Sequence, residues 1–169
     1  VLSAPAAGRE RIKKENRGGK KKLALGADQG GYQIKEAVRL YLEEKGIAYK
    51  DFGVLKEEAA DYPEIAKKVA GEVAAGKAEK GILCCGTGIG ISIAANKIKG
   101  IRAAVVADAF SAEMARRHND ANILCMGGRV IDGEKAVCFT DIFLHTPFDG
   151  GRHQKRVDMI ALMEDEKKQ

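Results

Sequence analysis

The chain has 169 residues, 45% hydrophobic and 31% charged, enough to bury one core and short for two full-sized domains. Charges interrupt every apolar run well before the roughly 18 to 20 residues that a membrane-spanning helix needs, so no membrane partner is expected. The net charge of +5 is local: residues 1–22 hold eight Lys or Arg against two Glu, and the remainder holds 21 basic and 22 acidic residues, so no nucleic acid partner is expected for the folded part.

Residues 1–21 are rich in Gly, Lys and Arg and lack apolar periodicity, which predicts a disordered basic N-terminal extension. It opens on Val1, which fits a tag remnant or leader codons better than a targeting segment or nucleic-acid arm. Its mildly apolar start precedes the charges, the reverse of a secretory signal. Cys84, Cys85, Cys125 and Cys138 form no C-x-x-C pair and read as free thiols of a cytoplasmic protein.

From residue 22 to 169 short apolar runs alternate with segments of helical period, the pattern of repeated βα units. A first strand at 22–27 ends in Asp28-Gln29-Gly30-Gly31, a tight turn at which Asp28 either faces a ligand or caps the helix at 32–45. A strand at 48–52 and a helix at 63–75 follow. The strand at 81–85 leads into Cys85-Gly86-Thr87-Gly88-Ile89-Gly90, whose alternating glycines can turn successive N–H groups toward one oxyanion before a helix at 90–96. Cys85 sits at that electropositive end, where thiolates are favoured, although a small buried hydrophobe is the commoner fate of cysteine. Cys84, one residue back, must point to the opposite face.

A strand at 102–107 and a helix at 111–119 bring His118 to a helix C-terminus, a place that suits either catalysis or simple dipole pairing. A strand at 123–127 ends in Gly127-Gly128-Arg129, followed by a helix at 133–144. The last helix, 151–165, starts with Arg152 and Arg156 one turn apart, a pair suited to a phosphate or merely solvated. The predicted fold is an α/β three-layer, doubly wound, Rossmann-like sheet of five parallel strands with an extra C-terminal helix, its ligand at the carboxyl ends of the strands. Asp108 lies 20 residues past Gly88, as a dinucleotide-binding acid would, but the loop reads G-x-G-x-G and follows the third strand rather than the first.

Three stretches, Cys85-Gly-Thr-Gly-Ile-Gly-Ile-Ser-Ile-Ala-Ala-Asn-Lys97, His118-Asn-Asp-Ala-Asn122 and Gly150-Gly-Arg-His-Gln-Lys-Arg156, closely resemble the sugar-phosphate isomerases of the ribose-5-phosphate isomerase B type. These are relatives of the galactose-6-phosphate isomerase subunits, and the resemblance covers nearly everything after Lys22. It implies interconversion of ribose 5-phosphate and ribulose 5-phosphate in the pentose phosphate pathway, with no metal and no organic cofactor. By the same resemblance, Cys85 would be the base, the loop from Gly86 through Gly88 and Ile89 to Gly90 the oxyanion cradle, and Thr87 a helper at the sugar oxygens. His118 would open the furanose ring, Asn119 and Arg129 would contact substrate, and Arg152 with Arg156 would grip the phosphate. Asp28, Gln29 and Tyr62 would line the sugar. Sites shared between subunits, in a homodimer or tetramer, complete what the family implies.

One departure stands out, because the family usually has Asp-His where this chain has Asp28-Gln29. A glutamine donates hydrogen bonds but carries no proton or charge. A six-carbon aldose phosphate is therefore an alternative substrate, and a non-catalytic nucleotide- or sugar-phosphate-binding module an alternative class.

Overall fold

The computed structural model describes the backbone of Arg11–Ile12 and residues 22–166. The elements in chain order are β1 (Arg11–Ile12), β2 (Leu23–Ala27), α1 (Tyr32–Glu44), β3 (Tyr49–Asp51), α2 (Tyr62–Ala74) and β4 (Gly81–Cys85). They continue with α3 (Ile89–Ala95), β5 (Ala103–Val105), α4 (Ala109–Arg117), β6 (Ile123–Gly127), α5 (Gly133–His145) and α6 (Arg152–Glu166). The sheet order is β1-β3-β2-β4-β6-β5, and β2 to β6 are the five parallel strands predicted.

β1 falls within the stretch expected to be a disordered extension. Arg11 and Ile12 pair antiparallel with Asp51 and Lys50 at the edge of β3, where an open strand edge presents unpaired N–H and C=O groups. The other residues of the 1–21 extension lie outside the described residues. α3 also opens at Ile89, one residue earlier than expected, which puts Gly90 inside its first turn.

The central strands are apolar without alternation because both faces are covered. Leu25, Cys84, Leu124 and Met126 pack with α1, α4 and α5, while Leu83, Cys85, Ile123 and Cys125 pack with α2 and α3. Adjacent cysteines thus serve different cores, as the period of two requires. Cys84 and Cys125 are fully buried, and burial pushes both thiols well above their ordinary range. They are packing residues.

From β2 the chain crosses by α1 to β3 on one side, then returns by α2 to β4 on the other. A crevice opens where neighbouring strands feed opposite ways, between the carboxyl ends of β2 and β4. The register sets Ala27 beside Cys84, and Cys85 beside Gly127, so three loops leave the sheet together.

A buried ion pair ties α1 to β3 and to the chain that follows it. Lys35 of α1 is fully buried and donates to Asp51 Oδ2 at 2.8 Å and to the Val54 carbonyl at 2.5 Å. Asp51 Oδ1 accepts from Gly53 N–H at 3.0 Å, tying the chain after β3 to the same charge. Removing one partner strands the other in the core, so Lys35→Met is expected to lower unfolding free energy by about 3–5 kcal/mol. Urea melts of that variant and of the double change with Asp51→Asn test this, because the double variant must recover part of the loss.

Candidate active site

Backbone hydrogen bonds knit the three post-strand loops. Asp28 N–H donates to the Cys84 carbonyl at 3.3 Å, Gly128 N–H to the Cys85 carbonyl at 2.8 Å, and Arg129 N–H to the Gly86 carbonyl at 2.9 Å. They frame a cleft of about 920 Å³ lined by Asp28, Gln29, Tyr62, Cys85, Thr87 and Arg129, with Gly86, Ile89 and Gly90 on its floor. Cys85 is only 4% exposed, yet it borders this open cleft.

The glycine loop is shaped around the sulfur. Gly88 has φ +79°, a left-handed conformation in which a side chain is strained. Its N–H donates to Cys85 Sγ at 3.1 Å, and Ile89 N–H donates to Thr87 Oγ1 at 3.2 Å. Among the described residues the amides of Gly86, Thr87 and Gly90 have no protein acceptor, so they remain available to an anion. Tyr62 leans over Gly90, whose missing Cβ would lie 2.7 Å from the phenol ring. The guanidinium of Arg129 lies against Gly86, 3.2 Å from the position a Cβ would take.

The loop's shape also depends on β6. A Cβ on Gly127 would lie 2.5–2.7 Å from the backbone of Thr87. Gly127→Ala is therefore expected to shift the loop and lower kcat/KM by about 10²-fold, with a smaller effect on folding. Kinetics compared with thermal melts of the same preparation check the order of the two effects.

The residues at the rim of β2 do partly structural work. Asp28 Oδ1 accepts from Gly30 N–H at 2.9 Å and Gly31 N–H at 3.2 Å, closing the turn into α1. Gln29 Oε1 accepts from Ala60 N–H at 3.0 Å, so what it offers a ligand is its amide N–H. Asp108 caps α4, accepting from Ser111 N–H at 2.7 Å. That role accounts for its position without a dinucleotide.

The prediction that all these residues share one rim fails for four of them. His118, Asn119, Arg152 and Arg156 do not line this cleft. α4 starts beyond the carboxyl end of β5 and runs back along the sheet, so His118 caps it near the amino ends of the strands. α5 returns the same way from β6, and Asp149 N–H then joins the Arg117 carbonyl at 3.0 Å. Arg152 and Arg156, both exposed, begin α6 beside His118. One chain thus carries its candidate site residues in two groups at opposite ends of its sheet.

Sequence reasoning missed His153. Its ring stacks on His118 with centroids 4.3 Å apart and planes 10° from parallel. The signal was present in Gly150-Gly-Arg-His153, but a pairing across 35 positions has no local pattern. Asp61 and Glu64, which also line the cleft, were missed as well; the Asp61-Tyr62-Pro63 helix start marked the first.

Residues 23–160 match the family described as Ribose/Galactose Isomerase. Ribose-5-phosphate isomerase B of Escherichia coli strain K12 is 46% identical over 144 residues, covering 85% of this chain and 97% of that one. Among solved structures, ribose-5-phosphate isomerase B of Clostridium thermocellum aligns with a TM-score of 0.85 at 45% identity, over 86% of this chain and 99% of that one. That of Mycoplasma genitalium, solved with ribulose-5-phosphate bound, aligns with a TM-score of 0.82 at 37% identity, over 86% and 97% of the two chains.

Proposed function

The chain belongs to the ribose/galactose isomerase family, and from that membership we propose that it interconverts D-ribose 5-phosphate and D-ribulose 5-phosphate. The observation that carries the proposal is Cys85 Sγ on the wall of an open cleft, beneath amides that have no other acceptor. Cys85 as thiolate takes the proton from C2 of the open-chain aldose and returns it to C1, while the hydroxyl proton on O2 passes to O1. The negative charge that builds on the sugar oxygens between these steps is met by the N–H groups of Gly86, Thr87 and Gly90. No cofactor enters this route. Thr87 and Arg129 contact the sugar, and the rim of Asp28, Gln29 and Tyr62 holds it.

Ring opening by His118 and phosphate binding by Arg152 and Arg156 need the other half-site. A second copy with its sheet reversed supplies them, each active site combining Cys85 of one subunit with His118, Asn119 and the arginine pair of another. Large apolar side chains near the cleft support such an interface: Ile89, Ile93, Phe110 and Val130 are each more than half exposed. Four free thiols, three of them buried, suit a cytoplasmic enzyme of carbohydrate metabolism.

A coupled assay across five- and six-carbon aldose phosphates tests the proposal. Ribose 5-phosphate must give the highest kcat/KM. A six-carbon phosphate turned over faster, with the amide of Gln29 in place of the family's imidazole, would reassign the substrate. No turnover of any of them would sink the enzyme reading.

A further inference from the structure

The chain leaves α4 through a left-handed residue that is not glycine. Asp120 has φ +46°, and among the described residues it is the one residue with a side chain in that conformation. Helices commonly stop on glycine there. Asp120 N–H and Ala121 N–H return to the carbonyls of Arg116 at 3.1 Å and Ala115 at 2.9 Å, so the turn closes without the side chain. The carboxylate is held by two arginines instead. Arg116, which is buried, donates from Nη1 to Asp120 Oδ1 at 2.8 Å and to the Ala121 carbonyl at 2.6 Å, and from Nε to the Thr146 carbonyl at 3.3 Å. Arg102 donates from Nη2 to the Asp120 carbonyl at 2.9 Å and Oδ2 at 3.4 Å, and from Nε to the Asn119 carbonyl at 3.0 Å. We propose that Asp120, Arg116 and Arg102 are positioning residues for the isomerase reaction, a clamp that fixes His118 and Asn119 relative to Arg152 and Arg156.

Strain that a glycine would relieve persists where the surroundings impose it, and such places gather at functional sites. Pairing a buried guanidinium explains a carboxylate near Arg116, but not where the remaining bonds end. They end on the carbonyls of Asn119, Asp120 and Ala121, directly after His118, and on Thr146, ahead of α6. Gly150 and Gly151, at φ +65° and +55°, have open space where a Cβ would stand. The start of α6 is therefore placed by ties on either side of that turn: Thr146 and Asp149 before it, buried His153 and Val157 after it. One fork thus spans the segment that opens the ring and the segment that leads to the phosphate arginines.

This inference rests on the proposed roles of His118 and the arginine pair. Asp120→Gly is the direct test, because glycine suits the backbone better than aspartate. A position that supplies only a turn leaves that variant fully active; the clamp predicts kcat/KM for ribose 5-phosphate lower by about 10–10²-fold. Arg102→Lys keeps a cation without the fork and should lose rate likewise, which covers poor folding of Asp120→Gly around an unpaired Arg116. Parental kcat/KM in either folded variant would overturn the clamp. Subunit exchange separates positioning from a general folding defect. An equal mixture of Asp120→Gly, or of Arg102→Lys, with Cys85→Ala should reach about a quarter of parent turnover, whereas a mixture with His118→Ala should gain nothing. No recovery with Cys85→Ala, where a His118→Ala and Cys85→Ala control pair does recover, would also overturn the clamp. A control pair that fails to recover overturns the shared site instead, and the clamp then stands only if both variants lose rate at an unchanged melting temperature. A parent chain that turns over no sugar phosphate would overturn the isomerase reading and the clamp with it.

Discussion

Cys85→Ala is expected to lower kcat by about 10²–10⁴-fold, the range that a positioned general base contributes, while Cys84→Ala leaves kcat close to that of the parent. The two thiols are neighbours in sequence and alike in chemistry, so only their orientation separates them. Cys85 borders the cleft and receives the Gly88 N–H at 3.1 Å. Cys84 faces the opposite core, fully buried, with its thiol held neutral by that burial. Truncating Cys84 removes one packed sulfur, a stability cost on the order of 1 kcal/mol, with no group lost from the site. Turnover of ribose 5-phosphate, followed alongside circular dichroism of each variant, separates the cases. Equal loss in both variants would mean that packing rather than proton transfer is being read, and full activity in Cys85→Ala would remove the base altogether.

Mixing two inactive variants should restore activity. Cys85→Ala damages the half-site at the carboxyl ends of the strands, and His118→Ala damages the half-site at the amino ends. If each active site joins opposite halves of two subunits, a mixed dimer contains one doubly damaged site and one intact site. After subunit exchange of equal amounts, half of the dimers are mixed, and turnover should reach about a quarter of the parent value. A site contained in one chain gives no recovery at any mixing ratio. The same preparations in a sedimentation experiment must run as dimers or larger, since a monomer has no means of combining the halves. This result bears directly on the exposed Phe110, Ile89, Ile93 and Val130, because a polar replacement at Phe110, 71% exposed in the isolated chain, should weaken subunit association and activity together.

The glycine loop and the ends of the strands could be read from residues because each is a local signal. Alternating glycines after an apolar run mark a strand that turns into a helix, and parallel strands buried on both faces lose their alternation. Even the opposite fates of Cys84 and Cys85 followed from a period of two. What resisted reading was distance along the sheet. His118 follows a strand by one helix just as Cys85 ends one, and both looked like rim residues; the length of α4 carries His118 to the other end. Arg152 and Arg156 moved with it for the same reason.

Side chains that meet across the fold were equally silent. Lys35 sits in an amphipathic helix as any surface lysine might, yet it is fully buried on Asp51, sixteen positions away. Gln29 looked like a bare substitution at the rim, whereas its oxygen is engaged by Ala60. The residues alone determined the order of strands and helices, the anion-receptive loop and which thiol borders it, because those depend on spacing over a few positions. Tertiary structure alone decided which groups share a site, since a helix packed antiparallel to its strand separates by its full length what the chain places close together.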